Sequence, residues 1–402
     1  MKKVLILAMS LRIGGAEKAL VNLLHSLDYS RWDIDLLLFQ KRGAFFGQIP
    51  ESVHVLNDIW QIDVLYQSFH ETFRESDIPR LGSAVLSAKR YFYTARSAAK
   101  YRQFDQMRIQ RWIRYYRKLI PDLDKQYDLA IAYAGGETLY YMVDKVEAKR
   151  KIAFYHSDYS KIELDRQLEE KYLEQVDAVA TISDICKNSL IRLFPAQTHK
   201  ISVQPNLISP AVVRTLSDAF YPQEFLSVRV KTVFISVGRL ERVKGFDLAI
   251  RAAERLKKNG ESFVWFVIGE GRERKSLESQ IAKSGLQNEF RLLGTRINPY
   301  PYLKHADIVV QPSRFEGKSV VLDEAKILCK PIVATDYHSV SDQISRMETG
   351  VITPMTADGL AEGIEKLLSD PALRKRIVEN LSALKINVQD QVLKFERFAE
   401  GN

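Results

Sequence analysis

Two carboxylates, Glu316 and Glu324, frame the stretch VVQPSRFEGKSVVLDE at 309–324. The apolar run Ile308-Val309-Val310 predicts a strand that ends at Pro312. A short polar loop follows, then a helix predicted from Ser319, a residue suited to the N-cap, with Pro331 as its stop. Glu316 falls in the loop, and Glu324 about one and a half turns into the helix. Gly317 lets the backbone approach a ligand closely, and the first free N–H groups of a helix can hold an anion. Carboxylates accept hydrogen bonds from sugar hydroxyls while backbone N–H groups face phosphate, so a ligand carrying hydroxyls and a diphosphate suits this turn. The same residues also describe a solvated loop with an acidic helix start, and alone they do not decide between the two.

A second group follows the strand predicted over 232–237. There Gly238-Arg239-Leu240-Glu241-Arg242-Val243-Lys244-Gly245 places Arg239 and Lys244 just past a strand's carboxyl end, where cations can neutralise a diphosphate. Basic residues after strands are also common without a function. Gly14-Gly15 follows the first strand, but the G-x-G-x-x-G dinucleotide pattern is absent. His156 ends an apolar strand before Ser157-Asp158, a position that suits a structural or a ligand-facing role equally. Asp33-x-Asp35 opens an apolar strand and Asp122-x-Asp124 follows Pro121 in a loop, so both D-x-D pairs read as incidental rather than metal-binding.

Positioning such residues takes alternating strands and helices. A strand over 3–10, a glycine turn over 11–16 and a helix over 17–27, with Ala19, Leu20, Leu23, Leu24 and Leu27 at helical spacing, precede strands over 34–39 and 53–56. This opens a right-handed βαβ unit with a parallel sheet. From about 64 to 120 the pattern is helical and rich in aromatics. Strands return over 129–133, 151–156, 179–183 and 201–205, with a helix capped by Asp184 running to about 194. Residues 206–231, holding Pro210 and Pro222, read as a passage between domains. A second alternation follows, with strands over 232–237, 263–268, 290–293, 307–311 and 331–334. Its helices cover 247–259, 274–284, 300–304, 319–329, 360–368 and 371–384, and an amphipathic stretch runs to 398. The expected domains are 1–206 with a helical insertion over 64–120, and 207–384, with 385–402 a C-terminal helix able to cross back to the first. The fold class is α/β: two Rossmann-like parallel-sheet domains facing a central cleft, the default ligand site.

Composition narrows the function classes. A chain of 402 residues with 46% hydrophobic and 27% charged residues is a folded protein with room for two cores. Cys186 and Cys329, its two cysteines, exclude a disulfide framework and fit a reducing compartment. The seven histidines form no cluster with cysteine that would hold zinc. Met1-Lys2-Lys3 and the apolar run 4–9 resemble the start of a signal peptide, but Arg12 and Glu17 follow too soon. No stretch approaches the ~20 apolar residues of a membrane span. The expected location is cytoplasmic, with peripheral contact to the inner face of the membrane. Residues 89–118 hold ten Lys or Arg against the single acid Asp105, an excess equal to the +9 of the whole chain.

Taken together, VGRL-E-x-x-KG at 237–245, the spacing of Glu316 and Glu324, GGAEKAL at 14–20 and YHSDY at 155–159 resemble a retaining GT-B glycosyltransferase of family 4, glycosyl transferases group 1. The resemblance covers nearly the whole chain and is strongest over 232–336. It implies that Arg239 and Lys244 bind the diphosphate and stabilise the departing nucleoside diphosphate. It implies that Glu324 accepts from ribose hydroxyls, that Glu316 contacts the donor sugar, and that the backbone of Gly317, Lys318, Ser319 and Val320 approaches sugar and phosphate. Gly15 would let the first loop near the diphosphate, and His156 would hydrogen-bond the donor sugar. No metal and no cofactor are implied, the cations replacing a metal electrostatically. Lys318, Asp323 and Cys329 depart from the family pattern, which usually has apolar residues at the first two positions and often glycine at the third.

The implied reaction moves a hexose, with retention, from a nucleotide-diphosphate sugar (UDP-linked by expectation) to a glycan or polyprenyl-diphosphate-linked acceptor. Surface polysaccharide synthesis, such as capsule, is the implied context. A nucleotide-sugar epimerase of the same architecture and a non-catalytic partner protein are the alternatives. The epimerase needs a proton-abstracting pair that the sequence lacks, and the retained polar residues argue against loss of chemistry. The basic aromatic segment, with Arg90, Arg96, Lys100, Arg111, Trp112 and Arg114, suits an anionic membrane surface or a lipid-diphosphate acceptor. No nucleic-acid motif accompanies it, and a solvated helix face is the competing reading.

Overall fold

A computed structural model describes residues 1–12, 14–57, 59–66, 80–100, 110–157, 159, 165–226, 232–384 and 388–401. Parts of the expected helical stretch (67–79 and 101–109), the Lys100 side chain and Asp158 lie outside the described residues. The chain divides into two compact units, Met1–Asn206 with Gln391–Asn402, and Leu207–Asp390.

The first unit holds strands β1 (Lys2–Ala8), β2 (Trp32–Leu38), β3 (Val53–Val55), β4 (Leu123–Ala132), β5 (Val146–Tyr155), β6 (Ala178–Thr181) and β7 (Ile201–Val203), in the order β3-β2-β1-β4-β5-β6-β7. The second holds β8 (Thr232–Val237), β9 (Phe263–Ile268), β10 (Phe290–Gly294), β11 (Ile308–Gln311), β12 (Ile332–Thr335) and β13 (Val351–Thr353), in the order β10-β9-β8-β11-β12-β13. Each strand runs parallel to its neighbours. Strand order reverses between β1 and β4 in one sheet and between β8 and β11 in the other. In open parallel sheets, ligands bind outside the carboxyl ends of the strands at such a point.

Period-two alternation explains why both sheet faces are covered. Phe234, Trp265 and Val310 point into one layer with Leu256 and Ile364, while their neighbours Ile235, Phe266 and Val309 pack with Tyr302 and Leu322 on the other. The first unit buries Leu5, Leu7, Phe39 and a cluster of tyrosines.

Several expectations need correction. Helices Glu137–Lys145 and Arg166–Leu173 were missing from the sequence reading. In the first, Glu137 and Asp144 share one face but meet Arg111 and Trp112 instead of solvent, and Leu139, Tyr140, Tyr141 and Met142 are all fully buried. Ser183, not Asp184, caps the helix Asp184–Leu193, accepting from the Cys186 N–H at 3.3 Å. Residues 206–231 carry helices Pro210–Ser217 and Gln223–Leu226, and Val213 and Phe225 enter the second core. Pro210 sits in the first turn behind the Ser209 cap, where proline starts a helix instead of breaking one. Asp124 lies in β4 rather than in a loop, and buried Asp35 accepts from Tyr127 at 2.6 Å and Lys125 at 2.5 Å.

The basic aromatic segment is also repartitioned. Trp112 is fully buried and donates to Asp144 at 3.0 Å. Arg111 donates to Glu137 at 3.0 Å and covers the Tyr116 ring. These two, expected on a membrane or acceptor face, are internal because their polar partners sit inside. Arg90 donates to the Val64 carbonyl at 2.9 Å, while Arg96 and Arg114 stay exposed. Among the described residues no helix is long and apolar enough to cross a membrane.

Helix Val388–Glu400 is fixed to β2 through Glu396, which accepts from the Trp32 indole at 2.9 Å and from Arg31 at 2.6 Å. Glu396→Ala leaves the indole donor unpaired and is expected to cost about 2 kcal/mol, read from the urea midpoint.

Candidate active site

In the second unit the loops after β8 and β11 meet at the switch point. Gly245 makes this possible: its φ is +68°, and a Cβ there would lie 1.9 Å from the Pro312 carbonyl oxygen. The Arg314 N–H donates to the Val243 carbonyl at 2.8 Å, and the Arg314 guanidinium forms two bonds of 2.6 Å to Asp247. Burial alone would raise the Asp247 carboxyl, but the Arg314 guanidinium outweighs it and holds the group below the usual carboxylate range.

With the loops so joined, Lys244 Nζ lies 2.6 and 2.7 Å from the two Glu316 oxygens. Glu316 Oε1 also accepts from Gln311 at 2.8 Å and Ser313 at 2.7 Å, and the Glu316 carbonyl accepts from Ser339 at 2.8 Å. The lysine side chain is 19% exposed and the glutamate 10%. A cation and a carboxylate are therefore held together, each partly exposed, beyond the carboxyl ends of β8 and β11. Arg239, on the same loop, stays more open and pairs with Glu241 at 3.0 Å.

Ser319 caps helix Val320–Ile327, as expected, accepting from the Leu322 N–H. Its own N–H is engaged by Gln343 Oε1 at 2.7 Å, and Gln343 Nε2 donates to the Ser319 carbonyl at 2.8 Å. Glu324 is 1% exposed and accepts from the Tyr300 hydroxyl at 3.2 Å. Two of the three departures from the family pattern compensate each other: Lys318 lies 3.4 Å from Asp323, which also pairs with Lys326 at 2.9 Å. Burial would raise Asp323, yet Lys318 and Lys326 hold it below the usual range. Cys329 adopts φ +52°, the left-handed conformation that makes glycine common there. Beside this network, the Tyr337 hydroxyl is buried with no hydrogen-bond partner among the described residues. Burial, with Glu316 and Asp323 nearby, keeps that phenol protonated.

In the first unit, Gly15 opens helix Gly15–Ser26 after β1 and is exposed. His156 follows β5, with its ring against Tyr133 and Phe154 at centroid distances of 4.5 and 5.6 Å. Both ring nitrogens are buried without a hydrogen bond of ordinary geometry among the described residues. Burial pushes the imidazole down to about 4, although Asn206 and the Tyr133 backbone favour the charged form. At neutral pH it is an uncharged ring with unused hydrogen-bonding capacity. The preceding residue is anchored, since Tyr155 donates to buried Glu169 at 2.6 Å and Tyr140 donates to the same carboxylate.

Sequence reasoning missed Gln311, Ser313, Tyr337, Ser339 and Gln343. Ser313 and Gln311 flank the loop and were within reach of a local reading. Gln343, 24 positions from Ser319, gave no local signal.

Residues 219–383 match the model of the family described as Glycosyl transferases group 1. The alpha-D-kanosaminyltransferase of Streptomyces kanamyceticus is 31% identical over 157 residues, 38% of this chain and 41% of that protein. The N-acetylgalactosamine-N,N'-diacetylbacillosaminyl-diphospho-undecaprenol 4-alpha-N-acetylgalactosaminyltransferase of Campylobacter jejuni subsp. jejuni serotype O:2 is 32% identical over 151 residues, 37% of this chain and 40% of that protein. The chain thus spans about half the length of the curated relatives it matches. The Anabaena Alr3699/HepE structure in complex with UDP and glucose covers 100% of both chains with a TM-score of 0.71 at 19% identity. That likeness is one of fold, and the fold is GT-B.

Gly245→Ala is expected to cost about 2 kcal/mol or more in urea unfolding, because both φ and the Pro312 carbonyl oppose a side chain. Gly260→Ala, also at positive φ but facing open space, should lose only about 1 kcal/mol. For His156, the unfolded chain binds the extra proton as pH falls from about 6.5 towards 4 while the folded ring resists it, so stability drops across that window. Urea unfolding at pH 7 and pH 5 should show the loss, and His156→Gln should reduce it.

Proposed function

We propose, for a chain whose residues 219–383 match the model of the glycosyl transferases group 1, that the protein is a glycosyltransferase using a UDP-linked hexose and a glycan or polyprenyl-diphosphate-linked acceptor in surface polysaccharide synthesis. The observation that carries the reading is Lys244 held on Glu316 beyond the carboxyl ends of β8 and β11, a partly exposed cation beside a hydrogen-bond acceptor. The UDP and glucose bound by the structurally similar Anabaena protein support the choice of donor class. The lipid-diphosphate substrate named for the Campylobacter relative supports that acceptor class.

In the proposed reaction Lys244 turns from Glu316 to the diphosphate, and Arg239 adds a second positive charge from the open side of the loop. Their charge stabilises UDP as it leaves, so no metal is required. Freed from Lys244, Glu316 accepts from sugar hydroxyls while Gln311 and Ser313 keep its carboxylate in place. Glu324 is assigned to the ribose, Gly15 and the 317–320 backbone to close approach, and neutral His156 to a sugar hydroxyl. The anomeric carbon–phosphate oxygen bond breaks as the acceptor oxygen bonds the same face. The acceptor proton passes to the departing phosphate, so the configuration is retained and no side-chain base is needed.

The test is turnover of a panel of UDP-sugars with a lipid-diphosphate acceptor in EDTA, the product's anomeric configuration being read by NMR. UDP release with an α-configured product from an α-donor is expected. Strict dependence on added metal, or an inverted product, contradicts the mechanism.

A further inference from the structure

Helix Arg80–Lys100 is amphipathic in the opposite sense from a helix that packs onto a core. Its inward side is small and polar. Ser83, Ser87 and Ser97 are buried with Leu86, Arg90 donates to the Val64 carbonyl, and Tyr93 stacks on Tyr115 at 3.9 Å. The outward side is apolar: Leu81 is 83% exposed, Val85 51% and Phe92 60%, with exposed Ala84, Ala88 and Ala95 between them. At 100° per residue these six positions form one continuous stripe. Exposed Lys89 and Arg96 border it on one side and Tyr91, 60% exposed, on the other. The helix sequence contains no acid.

We propose that this face is a membrane-docking surface, with its apolar stripe in the acyl boundary of an anionic bilayer and Lys89 and Arg96 on lipid phosphates. Contiguous exposed apolar surface of this kind needs a cover, and charge selects among the covers. A second copy of the same helix would bring Lys89 and Arg96 towards like charges. An anionic bilayer complements both features, because basic residues beside a hydrophobic stripe lie in the interface plane while an aromatic sits at headgroup depth. Trp112 and Arg111 take no part, since both are turned inward. The inference is independent of the transfer reaction proposed above and does not require a membrane span.

Flotation of the full chain with vesicles of phosphatidylglycerol and phosphatidylcholine tests it, against vesicles of phosphatidylcholine alone. Binding to the anionic vesicles is expected, falling about tenfold or more at 0.5 M salt. The Val85→Glu/Phe92→Glu variant, and separately Lys89→Glu/Arg96→Glu, should lose about tenfold or more, with unchanged circular dichroism and Tm. Absence of wild-type binding at low salt, equal binding to neutral vesicles, or full binding by both folded variants overturns the proposal. So does a concentration-dependent dimer that Phe92→Glu dissolves, which would make a second copy the cover.

Discussion

The close approach of the loops after β8 and β11 is the constraint on which the candidate site depends. A glycine at 245 lets one backbone lie against the Pro312 carbonyl, and Arg314 fastens the two loops through Val243 and Asp247. Only then do Lys244 and Glu316 share a position. A partly buried ion pair is weak evidence for stability, because desolvation offsets much of its Coulomb energy. Its interest lies in exchangeability: under the proposed function, a charged and hydroxylated donor would replace each member's present partner. Gln311, Ser313 and Ser339 hold Glu316 from three sides, so its position does not rest on the lysine alone.

The first unit solves a related problem with different chemistry. Around His156 the protein supplies aromatic faces and burial, which hold the ring neutral, and among the described residues neither nitrogen has a hydrogen bond of ordinary geometry. Buried Glu169 fixes the preceding tyrosine from below, so the end of β5 is determined by a satisfied polar cluster while the next residue is not. Leaving hydrogen-bonding capacity unused in a buried ring costs stability, and a substrate hydroxyl would recover it.

Most of the second unit was legible in the sequence because its strands are short apolar runs and several of its helices start behind a Ser, Thr or Asp cap. Ser319 and Pro331 each have a local physical meaning that survives in three dimensions. Helix Glu137–Lys145 was harder to read: it spans nine residues, and its polar residues Glu137 and Asp144 lie near its ends and meet Arg111 and Trp112 instead of solvent. The basic aromatic segment misled in part: Trp112 looks interfacial by composition, yet Asp144 lies inside to satisfy its N–H. The Gln343 clamp on Ser319 and the Lys318–Asp323 pairing are tertiary, so single positions suggested departures where the structure has a matched pair.

The measurement closest to the central claim is calorimetric titration of UDP without metal into the wild type and Lys244→Met. This account predicts binding by the wild type and an affinity loss of about tenfold or more in the variant, roughly 1.4 kcal/mol. Equal affinity in the two proteins would contradict it, and the Lys244–Glu316 pair would then be a structural tie between loops.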